Sequence, residues 1–207
     1  MNAIRSIGCI RPLRKVAVVD VDEVLFPFID PFLKWSNLKP YKEKYSSSIS
    51  NITRTSDHYI RGKIDQFMNS DEFKLTEPID TSQHGLAYLR EHSYKIYAVS
   101  GRIQSARGQT EHLLDTYFPY MVDDLFLTNK YSMKNVSKIS LYHCVGADVV
   151  ISDSIDTCHM ALYHNINAIN FVGDPVYPWC DENPHSVRKW TDVITKINGI
   201  SNHSTFP

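Results

Sequence analysis

Residues 15–25, KVAVVDVDEVL, constrain this chain more than any other stretch. Val16, Ala17, Val18 and Val19 run apolar with no polar alternation. A strand covered on both faces of a parallel sheet reads this way, because neither face meets water. The run ends in Asp20 and Asp22, one residue apart. In an open α/β sheet the ligand crevice lies beyond the C-terminal ends of the strands. Two carboxylates that close repel each other and lose hydration, and a cation facing both would relieve both costs. Asp20 is then suited to act as a nucleophile and Asp22 as a proton donor. The same spelling also fits a surface turn or the N-cap of a following helix. The rest of the chain has to decide.

That remainder predicts an α/β rhythm with one interruption. Residues 28–78 hold no apolar strand run and are rich in Lys, Ser, Tyr and Phe. Helices are expected near residues 30–35, with Pro31 in the first turn, and over 57–68. The KEKYSSSISN stretch between them reads as loop. The segment is expected to be a small helical cap of residues 28–78, inserted into a core of 1–27 and 79–207. After Pro78, Thr81 stands where it can cap a helix reaching about His92. Apolar runs at 96–99, 125–127, 147–151 and 168–172 predict further strands. Helices are expected at 104–116, 138–144, 157–164 and 192–197. Alternating β and α units of this size imply a Rossmann-like, doubly wound parallel sheet.

Composition narrows the function classes. The chain has 207 residues, enough for one such core with a small cap. A net charge of −1 provides no global basic field for nucleic acid. No apolar run approaches the roughly 18 residues of a membrane span, so no membrane partner is expected. Residues 1–14 read as a leading arm without the unbroken apolar stretch of a signal peptide. Cys9, Cys144, Cys158 and Cys180 show no C-x-x-C spacing, which points to thiols in a reducing compartment, the cytoplasm. The sequons at Asn51, Asn135 and Asn202 read as chance matches in that setting. His143, His159 and His164 lack the spacing of a zinc site.

Four strand ends carry a coherent set of polar residues. Asp20 and Asp22 follow the first strand, and Ser100, Gly101 and Arg102 follow the second. Lys138 opens the helix before the fourth strand, and Asp153 follows that strand. In this order they resemble the four motifs of the haloacid dehalogenase (HAD) superfamily, whose members are mostly Mg2+-dependent phosphatases. The resemblance covers the whole core. It implies Asp20 as nucleophile forming an aspartyl-phosphate, and Asp22 as general acid and then base. It implies Asp20, the main-chain carbonyl of Asp22, and Asp153 as ligands of Mg2+. It implies Ser100, Gly101 and Lys138 as the grip on the phosphoryl group, with Ser152, Ser154 and Asp156 around them. Two positions depart from the usual pattern. Glu23 stands where the family most often has glycine, and Ser152 precedes Asp153 where some subfamilies have a second Asp.

The insertion lies where HAD proteins place one class of cap. Across residues 34–63 of it, Lys34, Lys39, Lys42, Lys44, Arg54, Arg61 and Lys63 outnumber Glu43 and Asp57, with Trp35, Tyr41, Tyr45 and Tyr59 interleaved. Basic groups with stacking rings suit a nucleotide or a nucleic-acid end, and equally a solvated face over core aromatics. Phe26 and Phe28 stand where they could line the pocket or pack in the core. Arg102 resembles the arginine of the SGR seen in polynucleotide 3'-phosphatases and some other HAD phosphatases, which implies a substrate-binding role at the phosphate or its neighbour; the alternative is a free surface arginine. Tyr177-Pro178-Trp179 resembles a structural turn of small HAD proteins. The expected activity is a phosphatase of the 5'(3')-deoxyribonucleotidase type acting on a small phosphorylated substrate, a nucleotide, with a homodimer compatible. The alternatives are a polynucleotide 3'-phosphatase, or a HAD-fold binding module without turnover.

Overall fold

The computed structural model describes residues 14–41, 48–130, 132–180, 182–184 and 186–203. Expectations that touch Cys9, Lys42, Glu43, Lys44, Tyr45 and the rest of the leading arm lie outside the described residues.

Alternating Val side chains explain the central strand. In β1 (Val16–Asp20), Ala17 and Val19 enter one apolar cluster while Val16 and Val18 enter another. All five residues are buried, because helices cover both faces of the sheet. Each fully buried valine contributes roughly 1.5 kcal/mol or more. Around β1 lie β2 (Lys95–Ser100), β3 (Asp124–Leu127), β4 (Val149–Ser152), β5 (Asn167–Phe171) and β6 (Ser186–Val187). They form one parallel sheet in the order β3-β2-β1-β4-β5-β6. The order reverses beside β1, which is where such sheets open a crevice. The doubly wound architecture read from the sequence is the architecture of the chain.

Among the described residues, four helices lie in the segment after β1: α1 (Ile29–Ser36), α2 (Ile49–Thr53), α3 (Asp57–Met68) and α4 (Asp71–Lys74). Ser56 and Ser70 start α3 and α4 by accepting the amides of Tyr59 and Phe73, both at 3.2 Å. Phe28, Phe32, Phe67 and Phe73 pack edge-on or stacked inside this segment, with Trp35 against Phe32 and Phe67. The α2 turn lies in a stretch whose composition reads as loop. Its Ile49 and Ile52 are buried, so tertiary burial outweighs the local serine signal.

The remaining helices are α5 (Ser82–Glu91), α6 (Arg107–Tyr117), α7 (Lys138–Val145), α8 (Ile155–Tyr163) and α9 (Trp190–His203). Residues of α5, α6 and α9 join the cluster of Ala17 and Val19, while α7 and α8 cover the other face. Thr81 does precede α5, but with φ 60° and no capping hydrogen bond. Its hydroxyl donates to the Asp80 carbonyl instead. Strand β6 is two residues long and carries no apolar run, so periodicity could not find it.

Candidate active site

Register brings the polar residues together. Val19 of β1 is level with Ile151 of β4, and Asp20 is level with Val99 of β2. Asp20, Ser152 and Ser100 therefore emerge side by side at the C-terminal ends of three neighbouring strands. Ser137 accepts the amide of Ser140 and starts α7, which makes Lys138 the first residue of that helix. Ser154 does the same for α8 directly after Asp153.

Asp20 is 4% exposed and holds three hydrogen bonds. The Lys138 ammonium donates to Oδ1 at 2.8 Å and to Oδ2 at 2.7 Å, and Ser152 Oγ donates to Oδ2 at 2.6 Å. Burial opposes the charge on Lys138. The charge of Asp20 and the hydrogen bonds to it more than offset that, so Lys138 is held above the usual lysine range. The nearby Cys158 thiol is pushed up to about 12, first by burial and then by Asp20. It stays protonated and is no nucleophile.

Asp22 pairs with residues at and just past the C-terminal end of β2. Its Oδ2 accepts from Ser100 Oγ at 2.8 Å, and its Oδ1 accepts from Arg102 Nε at 3.1 Å and Nη2 at 2.6 Å. Arg102 also donates to Thr110 Oγ1 at 2.8 Å. Its guanidinium lies 5.3 Å from the Phe28 ring centre and 4.9 Å from that of Phe73. With its side chain 3% exposed, Arg102 is a buried partner of Asp22 rather than a surface arginine.

Asp153 stands across from Asp20, and Trp179 Nε1 donates to its Oδ2 at 3.0 Å. Burial, then the charge of Asp20, push its carboxyl up to about 6. Glu23 is buried too. Its Oε1 accepts the amides of Phe28 at 3.0 Å and Ile29 at 2.6 Å. Burial outweighs those bonds and pushes the Glu23 carboxyl up to about 8.

These strand ends and α3 enclose a cavity of about 390 Å³. Asp20, Asp22, Ser100, Gly101, Arg102, Lys138 and Asp153 all line it. Phe26 does not. It is fully buried, edge-on to Tyr117 and Phe118, and Phe28 lines the cavity in its place. Assigning Phe26 to substrate is therefore corrected: the turn after β1 aims it inward, where apolar burial favours it.

Arg61, already singled out among the basic residues of the insertion, lines the cavity together with Ile64, Asp65 and Met68 of α3, which sequence reasoning missed. Their i, i+3, i+4, i+7 spacing puts them on one helix face, and that was the available signal. Trp35, Tyr41 and Tyr59 do not line it. Arg54 stacks over Tyr41 at 3.1 Å, and Lys63 sits 5.8 Å from Trp35 and 6.0 Å from Tyr59. Each of these three rings has a cation of the same segment beside it. The turn at Tyr177 and Trp179 does more than shape the chain, since Tyr177 OH donates to the Glu23 carbonyl at 2.9 Å.

The donors suit a hard cation. Asp20, Asp153 and the main-chain oxygens of the turn are oxygen ligands, and a cation there would offset the burial and the Asp20 charge that raise the Asp153 carboxyl. Among the described residues no three His, Cys, Asp or Glu side chains form a ready metal cluster. The Asp22 side chain is turned to Arg102, so only its carbonyl can contribute. The set fits Mg2+ as two carboxylates plus a carbonyl, completed by water and substrate oxygens.

No family model and no curated protein matches the sequence. Solved structures do. A HAD family hydrolase from Deinococcus radiodurans R1, with bound phosphate and sodium, superposes with a TM-score of 0.63 at 10% identity, covering 91% of this chain and 96% of that one. A HAD-hydrolase from Bacillus subtilis bound to magnesium gives 0.58 at 10% identity, with 89% and 99% covered. An L-2-haloacid dehalogenase from Xanthobacter autotrophicus, with chloropropionic acid covalently bound, gives 0.56 at 11%, with 90% and 99% covered. The chain has the α/β fold of HAD-type hydrolases.

Proposed function

We propose that this chain is a Mg2+-dependent phosphomonoester hydrolase working through a phosphorylated Asp20, with a (deoxy)nucleoside monophosphate as substrate. The observation that carries the reading is the Lys138 ammonium, bonded to both oxygens of Asp20 with Asp153 and Asp22 beside it. A buried carboxylate hydrogen-bonded to a cation is suited to attack on phosphorus. Asp20 attacks in line as the bond to the leaving oxygen breaks. Asp22 gives that oxygen its proton and later takes one from the incoming water. Ser100, Gly101 and Lys138 offset the charge growing on the phosphoryl oxygens. Bound by Asp20, Asp153 and the Asp22 carbonyl, Mg2+ would supply Lewis-acid stabilisation of the same charge.

Cavity size supports a single small leaving group. About 390 Å³ lies near the lower end for ligand pockets, which favours a mononucleotide over a nucleic-acid end. Cys144, Cys158 and Cys180 are free thiols, in keeping with a reducing cytoplasm. The test is phosphate release from a panel of mononucleotides, a 3'-phosphorylated oligonucleotide and p-nitrophenyl phosphate, with Mg2+ and with chelator. Mg2+-dependent turnover, lost in Asp20→Asn, is expected. Unchanged turnover in Asp20→Asn overturns the mechanism, and preference for the oligonucleotide overturns the substrate. No release from any ester leaves a binding module.

A further inference from the structure

Glu23 is an unexpected occupant of its position. Its φ of 61° lies in the left-handed region, where glycine is least strained. Its side chain is buried as well. A residue that carries both costs needs something in return.

The hydrogen bonds supply it. Glu23 Oε1 holds the amides of Phe28 and Ile29, which open α1 and would otherwise have no partner within the helix. The Phe28 ring lies against the Arg102 guanidinium, and Arg102 donates twice to Asp22. Asp22 is the chain neighbour of Glu23. The contacts close a circuit from Asp22 through Arg102, Phe28 and Glu23 back to Asp22. The backbone of the turn is anchored to the core separately. Tyr177 OH donates to the Glu23 carbonyl, and Trp190 Nε1 donates to the Val24 carbonyl at 2.9 Å. The core thus holds the turn, and within this circuit Glu23 is the side chain that hydrogen-bonds the first amides of α1 directly.

We propose that Glu23 is a positioning residue that fixes α1 to the turn carrying Asp22, so that the seat of α1 sets the direction of the Asp22 carboxyl. The role of Asp22 as acid rests on the phosphatase reading; the tie itself does not. Glu23→Gly relieves the backbone and removes the acceptor, while Glu23→Gln keeps Oε1. The two are compared on a nucleoside monophosphate, whose alkoxide needs a proton, and on p-nitrophenyl phosphate, whose phenolate hardly does. General-acid help is worth about 100-fold or more. Glu23→Gly is expected to lose about tenfold or more in kcat on the nucleotide and under about threefold on the aryl ester, with Glu23→Gln close to the parent. Parallel losses on both esters, or none, overturn the proposal. If the parent protein cleaves neither ester, the phosphatase reading fails, and amide hydrogen exchange still tests the tie. Faster exchange across residues 28–36 in Glu23→Gly, with α5 unchanged, supports it. Unchanged exchange there overturns it.

Discussion

At the scale of single residues, charge balance around Asp20 dominates. Lys138→Met would leave a carboxylate that is 5% exposed without its cation. Stability is expected to fall by about 3 kcal/mol, read by urea denaturation. Adding Asp20→Asn should recover part of that, because the orphaned charge goes too. The raised carboxyls give a pH dependence with a definite sign. Glu23 moves from 4.5 to about 8 and Asp153 from 3.8 to about 6, both chiefly by burial. The folded state therefore holds protons that the unfolded chain gives up. Their contribution is complete below the unfolded values and is lost as pH rises through about 6 and then about 8. With chelator present, Tm should decline across that window, and Glu23→Gln should remove the upper step. Added Mg2+ should raise Tm most above the Asp153 transition, because an ionised Asp153 is the better ligand.

At the scale of elements, α3 decides what the cavity meets. One face, Ile60 and Phe67, is buried, and Arg61, Ile64, Asp65 and Met68 line the cavity. Among the described residues neither Arg61 nor Asp65 is paired through its side chain, although they stand i, i+4 on the helix. Arg61 is exposed, so its replacement leaves the core intact. Arg61→Ala or Asp65→Asn is expected to raise KM for a nucleotide about tenfold, or about 1.4 kcal/mol. The KM for p-nitrophenyl phosphate should stay within about twofold, since that ester places no polar edge against α3. Steady-state kinetics on both esters checks this. Trp35, Tyr41 and Tyr59, which the sequence offered for stacking, lie off the cavity, with Arg54 over Tyr41 and Lys63 near Trp35 and Tyr59.

At the scale of the molecule, the packing of α5 on α9 shows how little slack the core has. A Cβ on Gly85 would land on the Trp190 ring, and Trp190 in turn donates to the Val24 carbonyl in the turn after β1. Gly85→Ala should cost about 2 kcal/mol by overpacking, seen as a lower Tm. The five main strands and the polar residues after β1, β2 and β4 were legible in the chain, because a strand buried on both faces has to be continuously apolar and the polar residue that ends it marks the sheet edge. The Glu23 tie and the Trp179 contact were not legible, since each joins residues far apart in sequence or facing inward, with no local period to mark them. The α3 face did carry a helical period, but not which part of the molecule it would meet. The sequence by itself therefore determined the parallel sheet and the residues at its tips, through hydrophobic pattern and chain order. Only the tertiary structure decided that Phe28 and not Phe26 faces the cavity, and that Arg102 is buried against Asp22. Those choices depend on which partner each side chain finds once distant segments pack.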